Sequence, residues 1–541
     1  MKHATIAPRV VIKSAMFRVS SKGKSVPLPS IKFTAFYILN YPARFSESIL
    51  NILGSTFLRL FEVVEMNRAK VFKYIEEHFE EHLRRLQELV RQPSISAEGL
   101  GIRECANLVK DYFKALGCKE ARLVETSGNP VAYGYYDAGA DKTLIIYMMY
   151  DTQPVDEPGW TVPPLEGRVV EMEPFGKCLV ARGAINTKGE LGAFINACES
   201  ILASGEEIPL NLIFVAEGEE ELGSRHLPEF INMYFDKLKE ADAVFFPTAD
   251  QDEKGKVQMT LGVKGIVYFE LQLDGKSWGY GPTEFDIHGS NKAWVDSPTL
   301  RMIQALSTLT TKDGNTVLVE GFYDNVAPPS QEDLELIEKL EKTFDEETVK
   351  KEMKVERFIN DVHGKEALLK YLYSPTLNID GIWSGYTGPG TKTVLPHKVT
   401  AKVDVRLVPN MTVKEVIPKI RRHLDKHGFK EIKIVQLEEG YGWAKTSIRE
   451  PAAQAILKTY REFGYEPEIW PHMAGSAPFC MFNRAPLNLP FVMGGIGHGG
   501  RAHAPNEYIV VGEGGPTGGL TTLEKSYVAI LDNMAKMLPT K

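Results

Sequence analysis

The sequence is poor in several features that would each direct its reading elsewhere. Its five cysteines (Cys105, Cys118, Cys178, Cys198, Cys480) are odd in number and scattered, and no CxxC pair occurs. A disulfide framework and a thiolate zinc site are both excluded, and a reducing, cytoplasmic setting is expected. No apolar run reaches the roughly 18 residues that a membrane-spanning helix needs, so no membrane partner is expected. Basic excess is missing too: the formal net charge is −8, which argues against nucleic acid as a partner. Internal repeats and low-complexity stretches are absent. What remains is ordinary for a globular enzyme-sized chain, 541 residues with 43% apolar and 25% charged side chains.

Residues 1–65 differ from the rest, with nine Lys or Arg against three acids, Glu47, Glu62 and Glu65. They read as an upstream extension from a start assigned too early, or a disordered one, with Met66 the true start; a basic, acid-poor transit peptide is the alternative. An amphipathic helix is expected directly after Met66, with Val71, Phe72, Ile75, Phe79, Leu83, Leu86 and Val90 on one face and Pro93 ending it.

From 66 to about 261, helical patterns alternate with short apolar strands such as Thr143–Tyr150, Leu210–Ala216 and Ala243–Phe246. Unbroken apolar strands between helices predict an α/β domain with a mixed, mostly parallel sheet covered on both faces. From about 262 the strands alternate apolar and polar, as in Ile266, Tyr268, Glu270 and Gln272, and helices are expected at 297–310 and 412–427. Residues 262–444 therefore read as an inserted α+β domain, and 445–541 as a return to the first domain. The Glu/Lys-rich stretch 331–354 reads as helix.

Four loops stand at predicted strand ends or helix starts, where open α/β sheets bind ligands. They are Tyr150-Asp151-Thr152-Gln153-Pro154, Ala181 through Gly189, Glu217-Gly218-Glu219-Glu220-Glu221-Leu222-Gly223-Ser224, and His503-Ala504-Pro505-Asn506-Glu507. Each is weak alone; the set and its order are specific.

In that order, with the insertion between the third and fourth, the loops resemble the co-catalytic zinc family of aminoacylases, carnosinases, carboxypeptidase G and succinyl-diaminopimelate desuccinylase, over roughly residues 66–541. The resemblance implies a zinc-peptidase-like domain with a lid that makes a homodimer. It also implies hydrolysis of amide-type bonds in small carboxylate-bearing amides or dipeptides. By the same resemblance Glu220 is the general base, Asp151 orients a metal-bound His, and Glu221 and His503 are metal ligands. His288 in the lid polarises the carbonyl in a partner's cleft, and Arg406, Gly475 and Ser476 bind substrate.

Three ligand positions depart from that pattern. Met149 stands where the family has His, Asn186 where it has the bridging Asp, and Thr248 where it has a third carboxylate, with Asp250 two residues on. A thioether suits Cu(I) rather than zinc, and a neutral amide cannot offset the repulsion of two dications. The expectation is at most one divalent ion, zinc or manganese, held weakly by Glu221, His503 and Asn186, or none.

Plainer readings stand beside these. Met149 can be core, Asp151 a cap, the acidic run a solvated loop, and His503 and His288 ordinary loop or surface histidines, with His498 the further histidine expected to line the cleft. The functional expectation is an amide-bond hydrolase. The alternatives are a non-catalytic binding or regulatory relative, or a metal-free lyase or isomerase using the same carboxylates.

Overall fold

The computed structural model describes residues 66–437 and 440–540. The reading of 1–65 as an extension lies outside the described residues.

The larger sheet has the order Glu120–Val124, Val131–Tyr136, Asn211–Glu217, Thr143–Met149, Ala243–Pro247, Phe491–Gly494. The first two strands form an antiparallel hairpin, and the second also runs antiparallel to Asn211–Glu217. The remaining pairings are parallel. The central strand shows why its sequence is unbroken apolar. Leu144, Ile146 and Met148 enter one core beneath the Lys188–Ala203 and Leu520–Met537 helices. Ile145, Tyr147 and Met149 enter a second core on the opposite face, with Phe246, Phe479 and Phe491. A period of two with both faces covered leaves no polar position.

The second sheet is antiparallel, in the order Thr376–Ser384, Lys398–Leu407, Gly262–Asp274, Lys433–Gln436. Val267, Phe269, Leu271 and Leu273 alternate into its own core with residues of the Pro298–Leu309 and Val413–Lys426 helices. The fold is thus α/β, with a mixed, mostly parallel sheet and an α+β lid. Gly262–Asp274 also pairs near its start with Ala444–Lys445 and Met473–Ser476, which carries the lid sheet to the edge of the cleft.

Some elements differ from expectation. The first helix is broken into Arg68–Glu77 and Phe79–Arg91. His78 adopts φ −112°, its ring stacks on Tyr74 at 3.7 Å, and its Nδ1 and backbone N both meet the Tyr74 carbonyl. Residues 331–354 likewise form two helices, Gln331–Leu340 and Glu346–Met353, because Asp345 caps the second through the Thr348 backbone N–H. A four-stranded sheet of Arg168–Met172, Gly176–Val180, Tyr508–Val510 and Gly499–Gly500 had no sequence signal. It joins segments more than 300 residues apart and holds the Ala181 and His503 loops side by side.

Candidate active site

The loops after Met149, Glu217 and Pro247 leave three neighbouring strands at their carboxyl ends and meet the Asn186 and His503 loops around a cavity of about 590 Å³. Among the described residues its lining includes Asn186, Glu190, Glu220, Glu221, Asp250 and His503, and no Lys or Arg.

Glu221 is the centre of a compact hydrogen-bonded group. Its Oε1 accepts from Asn186 Nδ2 at 2.6 Å, and its Oε2 accepts from Gln153 Nε2 at 2.7 Å. His503 Nε2 lies 3.2 Å from the same Oε1 and 2.8 Å from Asn186 Nδ2. The Glu221 carboxylate raises the proton affinity of His503, against the opposing effect of burial.

Asn186 is positioned from behind. Glu507 Oε1 accepts the backbone N–H groups of Ile185 (3.0 Å) and Asn186 (2.9 Å). Glu507 Oε2 accepts from Arg182 Nη1 at 2.8 Å, and this buried guanidinium also pairs with Glu157 and lies over the Trp160 ring. His503 sits at φ +61° in the turn between Gly499–Gly500 and Tyr508–Val510.

Asp151 is fully buried and caps the acidic turn. Its two carboxylate oxygens accept the backbone N–H of Glu220 (3.2 Å) and Glu221 (3.1 Å). Burial, then the Glu221 charge, pushes its carboxyl up to about 7. Glu220 is half-buried and lines the cavity; among the described residues no donor reaches its side chain. Burial and the charges of Glu221, Asp151 and Glu217 raise its proton affinity well above the ordinary carboxylate range. Glu217 lies behind it, held by the hydroxyls of Tyr147 and Ser224.

The three departing positions are occupied in other ways. Met149 is buried among Phe246, Phe479 and Met493. Thr248 donates its hydroxyl to Asp250 Oδ1 at 2.6 Å, and Asp250 Oδ2 accepts from Tyr460 at 2.7 Å. These residues do not fit a two-metal centre: they offer a thioether, an amide and a hydroxyl where imidazole and carboxylate are needed. Among the described residues no group of three or more His, Cys, Asp or Glu is arranged to hold a metal ion.

The remaining expected residues are separated. Arg406 donates to Asp404 Oδ1 and to Ser476 Oγ, each at 2.9 Å, and Ser476 lines the cavity beside Gly475 in the Met473–Ser476 strand. His288 is exposed in the lid, bonded to the Ser290 and Thr393 hydroxyls, and does not line this cavity. His498 is buried and bonded to the Gln251 carbonyl and the Tyr508 hydroxyl, so the expectation that it lines the cleft is corrected. Gln153, Glu190 and Glu507 were missed as site residues. Glu190 lies in the first turn of the Lys188–Ala203 helix, directly after the Asn186 loop.

The fold and the family model that matches it place this chain among peptidase-type hydrolases of amide bonds. The chain belongs to peptidase family M20/M25/M40, which matches residues 145–516. It is 26% identical over 474 residues to the Cys-Gly metallodipeptidase DUG1 of Candida albicans, covering 82% of this chain and 93% of that one. The Beta-Ala-His dipeptidase of Homo sapiens is 29% identical over 427 residues, 74% of this chain and 80% of the relative. Among solved structures, the M20 family metallo-carboxypeptidase Sso-CP2 from Sulfolobus solfataricus superposes with a TM-score of 0.73 at 36% identity, covering 85% of this chain and 99% of that one.

Proposed function

We propose that this chain hydrolyses the amide bond of a short, carboxylate-bearing peptide, with Glu220 as general base. The observation that carries this reading is a Glu220 side chain without a donor, facing the cavity beside the Glu221–Asn186–His503 group. A carboxylate held on a capped turn, free of other bonds, is positioned to take a proton from water. The hydroxide oxygen then bonds to the carbonyl carbon, the C–N bond breaks, and Glu220 returns its proton to the leaving nitrogen. Arg406 and Ser476 supply a cation and a hydroxyl for the substrate carboxylate. The names of the relatives, Cys-Gly metallodipeptidase and Beta-Ala-His dipeptidase, support dipeptides as the substrate class.

In this reading the centre takes at most one divalent ion, zinc or manganese, at Glu221, His503 and Asn186. The 3.2 Å between Glu221 Oε1 and His503 Nε2 suits two ligands of one ion, but only Glu221 brings a full charge. Such an ion would supply positive charge to the carbonyl oxygen.

The domain division 66–261 with 445–541 around an inserted 262–444 belongs to this proposal, supported by the parallel pairing of Phe491–Gly494 with Ala243–Pro247. So does a homodimer through the lid. Its support is the exposed edge strand Thr376–Ser384, which presents Ile379, Ile382 and Trp383, and the exposed Trp294 and Phe285 near His288 in the chain.

The test is turnover of Cys-Gly and β-Ala-His by the full chain and by Glu220→Gln. Glu220→Gln should lose at least a hundredfold in kcat with its metal content unchanged, since a general base is not a ligand. Undiminished turnover in Glu220→Gln would remove Glu220 from the reaction.

A further inference from the structure

Glu220 is aimed by its backbone alone. Among the described residues no donor reaches its side chain, so its direction is set by whatever fixes the turn that carries it. Misplacing a reacting group by about 1 Å can cost on the order of a hundredfold in rate. The residues that clamp this turn therefore bear on the chemistry without touching it.

Asp151 clamps one side, through the Glu220 and Glu221 backbone N–H groups. Glu219 clamps the other. The three consecutive glutamates point three ways, because the Glu220–Leu222 turn is a 3-10 helix with about three residues per revolution. Glu220 faces the cavity, Glu221 meets Asn186 and His503, and Glu219 does not line the cavity at all. Glu219 is 7% exposed, and both of its carboxylate oxygens are engaged. Its Oε1 accepts the Asn129 backbone N–H at 3.1 Å, from the loop that joins the two hairpin strands. Its Oε2 accepts the His226 backbone N–H at 3.2 Å and lies 2.7 Å from His226 Nδ1. Asn129 Nδ2 also donates to the Gly218 carbonyl at 2.7 Å, which ties the strand end to the same loop. Gly128 closes the socket: a Cβ there would fall 2.0 Å from Glu219 Oε1 and 2.2 Å from His226 Nδ1. A buried carboxylate is retained only where donors meet it, and each donor here ties the turn to an element outside it.

We infer that Glu219 and His226 are positioning residues: they latch the turn to the 126–130 loop and so fix the direction of Glu220. The inference rests on Glu220 as the general base proposed above.

The experiment is Cys-Gly turnover, zinc content and thermal unfolding of the full chain and its variants. Glu219→Ala should lower kcat at least tenfold, with KM within twofold and metal content unchanged. Gly128→Ala, which pushes on the carboxylate without removing it, should lower kcat at least threefold. His226→Ala should do the same. His226→Asn, whose amide donor stands at the same branch as Nδ1, should return to within twofold of the parent. Glu219→Ala combined with His226→Ala should match Glu219→Ala within twofold, because a single latch is broken only once. Should Glu219→Ala lose its cooperative thermal transition, Gly128→Ala and the two His226 variants carry the comparison. A kcat within twofold of the parent in the folded variants overturns the latch. So does a KM that rises as far as kcat falls, or a His226→Asn no better than His226→Ala. Metal lost in step with kcat overturns it too, because the turn would then act through Glu221. Glu220→Gln separates the two readings. Parental turnover in Glu220→Gln removes the general base and with it the latch. With Glu220→Gln inactive, parental turnover in the latch variants removes only the latch. No turnover by the parent chain removes both.

Discussion

Asn186 Nδ2 stands 2.6 Å from Glu221 Oε1, so an amide donor fills the space beside the carboxylate that a cation would otherwise neutralise. One neutral side chain thus meets both Glu221 and His503. Asn186→Asp should reverse this. Two carboxylates at that separation repel, and the variant in chelator should lose about 1–3 kcal/mol of stability, read as a lower thermal midpoint. Added zinc should restore the midpoint in Asn186→Asp far more than in the parent chain. Combining it with Met149→His and Thr248→Asp should raise metal content, measured by mass spectrometry, toward two ions per chain. Content unchanged in the triple variant would show that other ligands govern the site.

Asp151 carries the acidic turn on its two oxygens. Asp151→Ala leaves the Glu220 and Glu221 backbone N–H groups without their acceptor and opens a buried space. The expected loss is about 2–3 kcal/mol in denaturant unfolding, with a larger proportional fall in kcat than rise in KM. Asp151→Asn retains one acceptor and should recover part of both. An alanine variant with full activity would detach the turn from Asp151.

Glu507 joins the buried Arg182 to the Asn186 loop. Glu507→Gln leaves the guanidinium its pair with Glu157 but removes the buried counter-charge, and should cost about 1–3 kcal/mol, the range for a hydrogen bond to a charged group. Glu507→Gln with Arg182→Met should recover stability relative to the single variant, because no buried charge is then left alone. A double-mutant cycle with no coupling would contradict the linkage.

His472 provides a pH handle away from the centre. It is buried against Tyr373, its Nε2 has no partner, and burial lowers its pKa from 6.5 to about 4. Between those values the unfolded chain binds the extra proton and the folded chain does not. Stability from this residue is complete above about pH 6.5 and is lost as pH falls toward 4, by about 3 kcal/mol at most. His472→Gln should flatten that limb when urea midpoints of variant and parent are compared from pH 7 to pH 4. Parallel pH profiles would exclude His472 as the source.

Much of this was legible in the chain itself, and the reason is local. The apolar run Thr143–Met149 dictates a strand buried on both faces, and the alternation of Ile266 through Gln272 dictates a half-covered one. Met149, Asn186 and Thr248 bring a thioether, an amide and a hydroxyl by their identity alone, none of them a usual zinc ligand. The tertiary structure alone decided what those residues do instead. Glu507 reaches Asn186 across 321 positions, Asn186 reaches His503 across 317, and Tyr460 reaches Asp250 across 210. Such partners leave no periodicity or spacing to read. A hydrogen bond requires two groups within about 3 Å, and only packing of the sheets brings residues so distant in sequence that close.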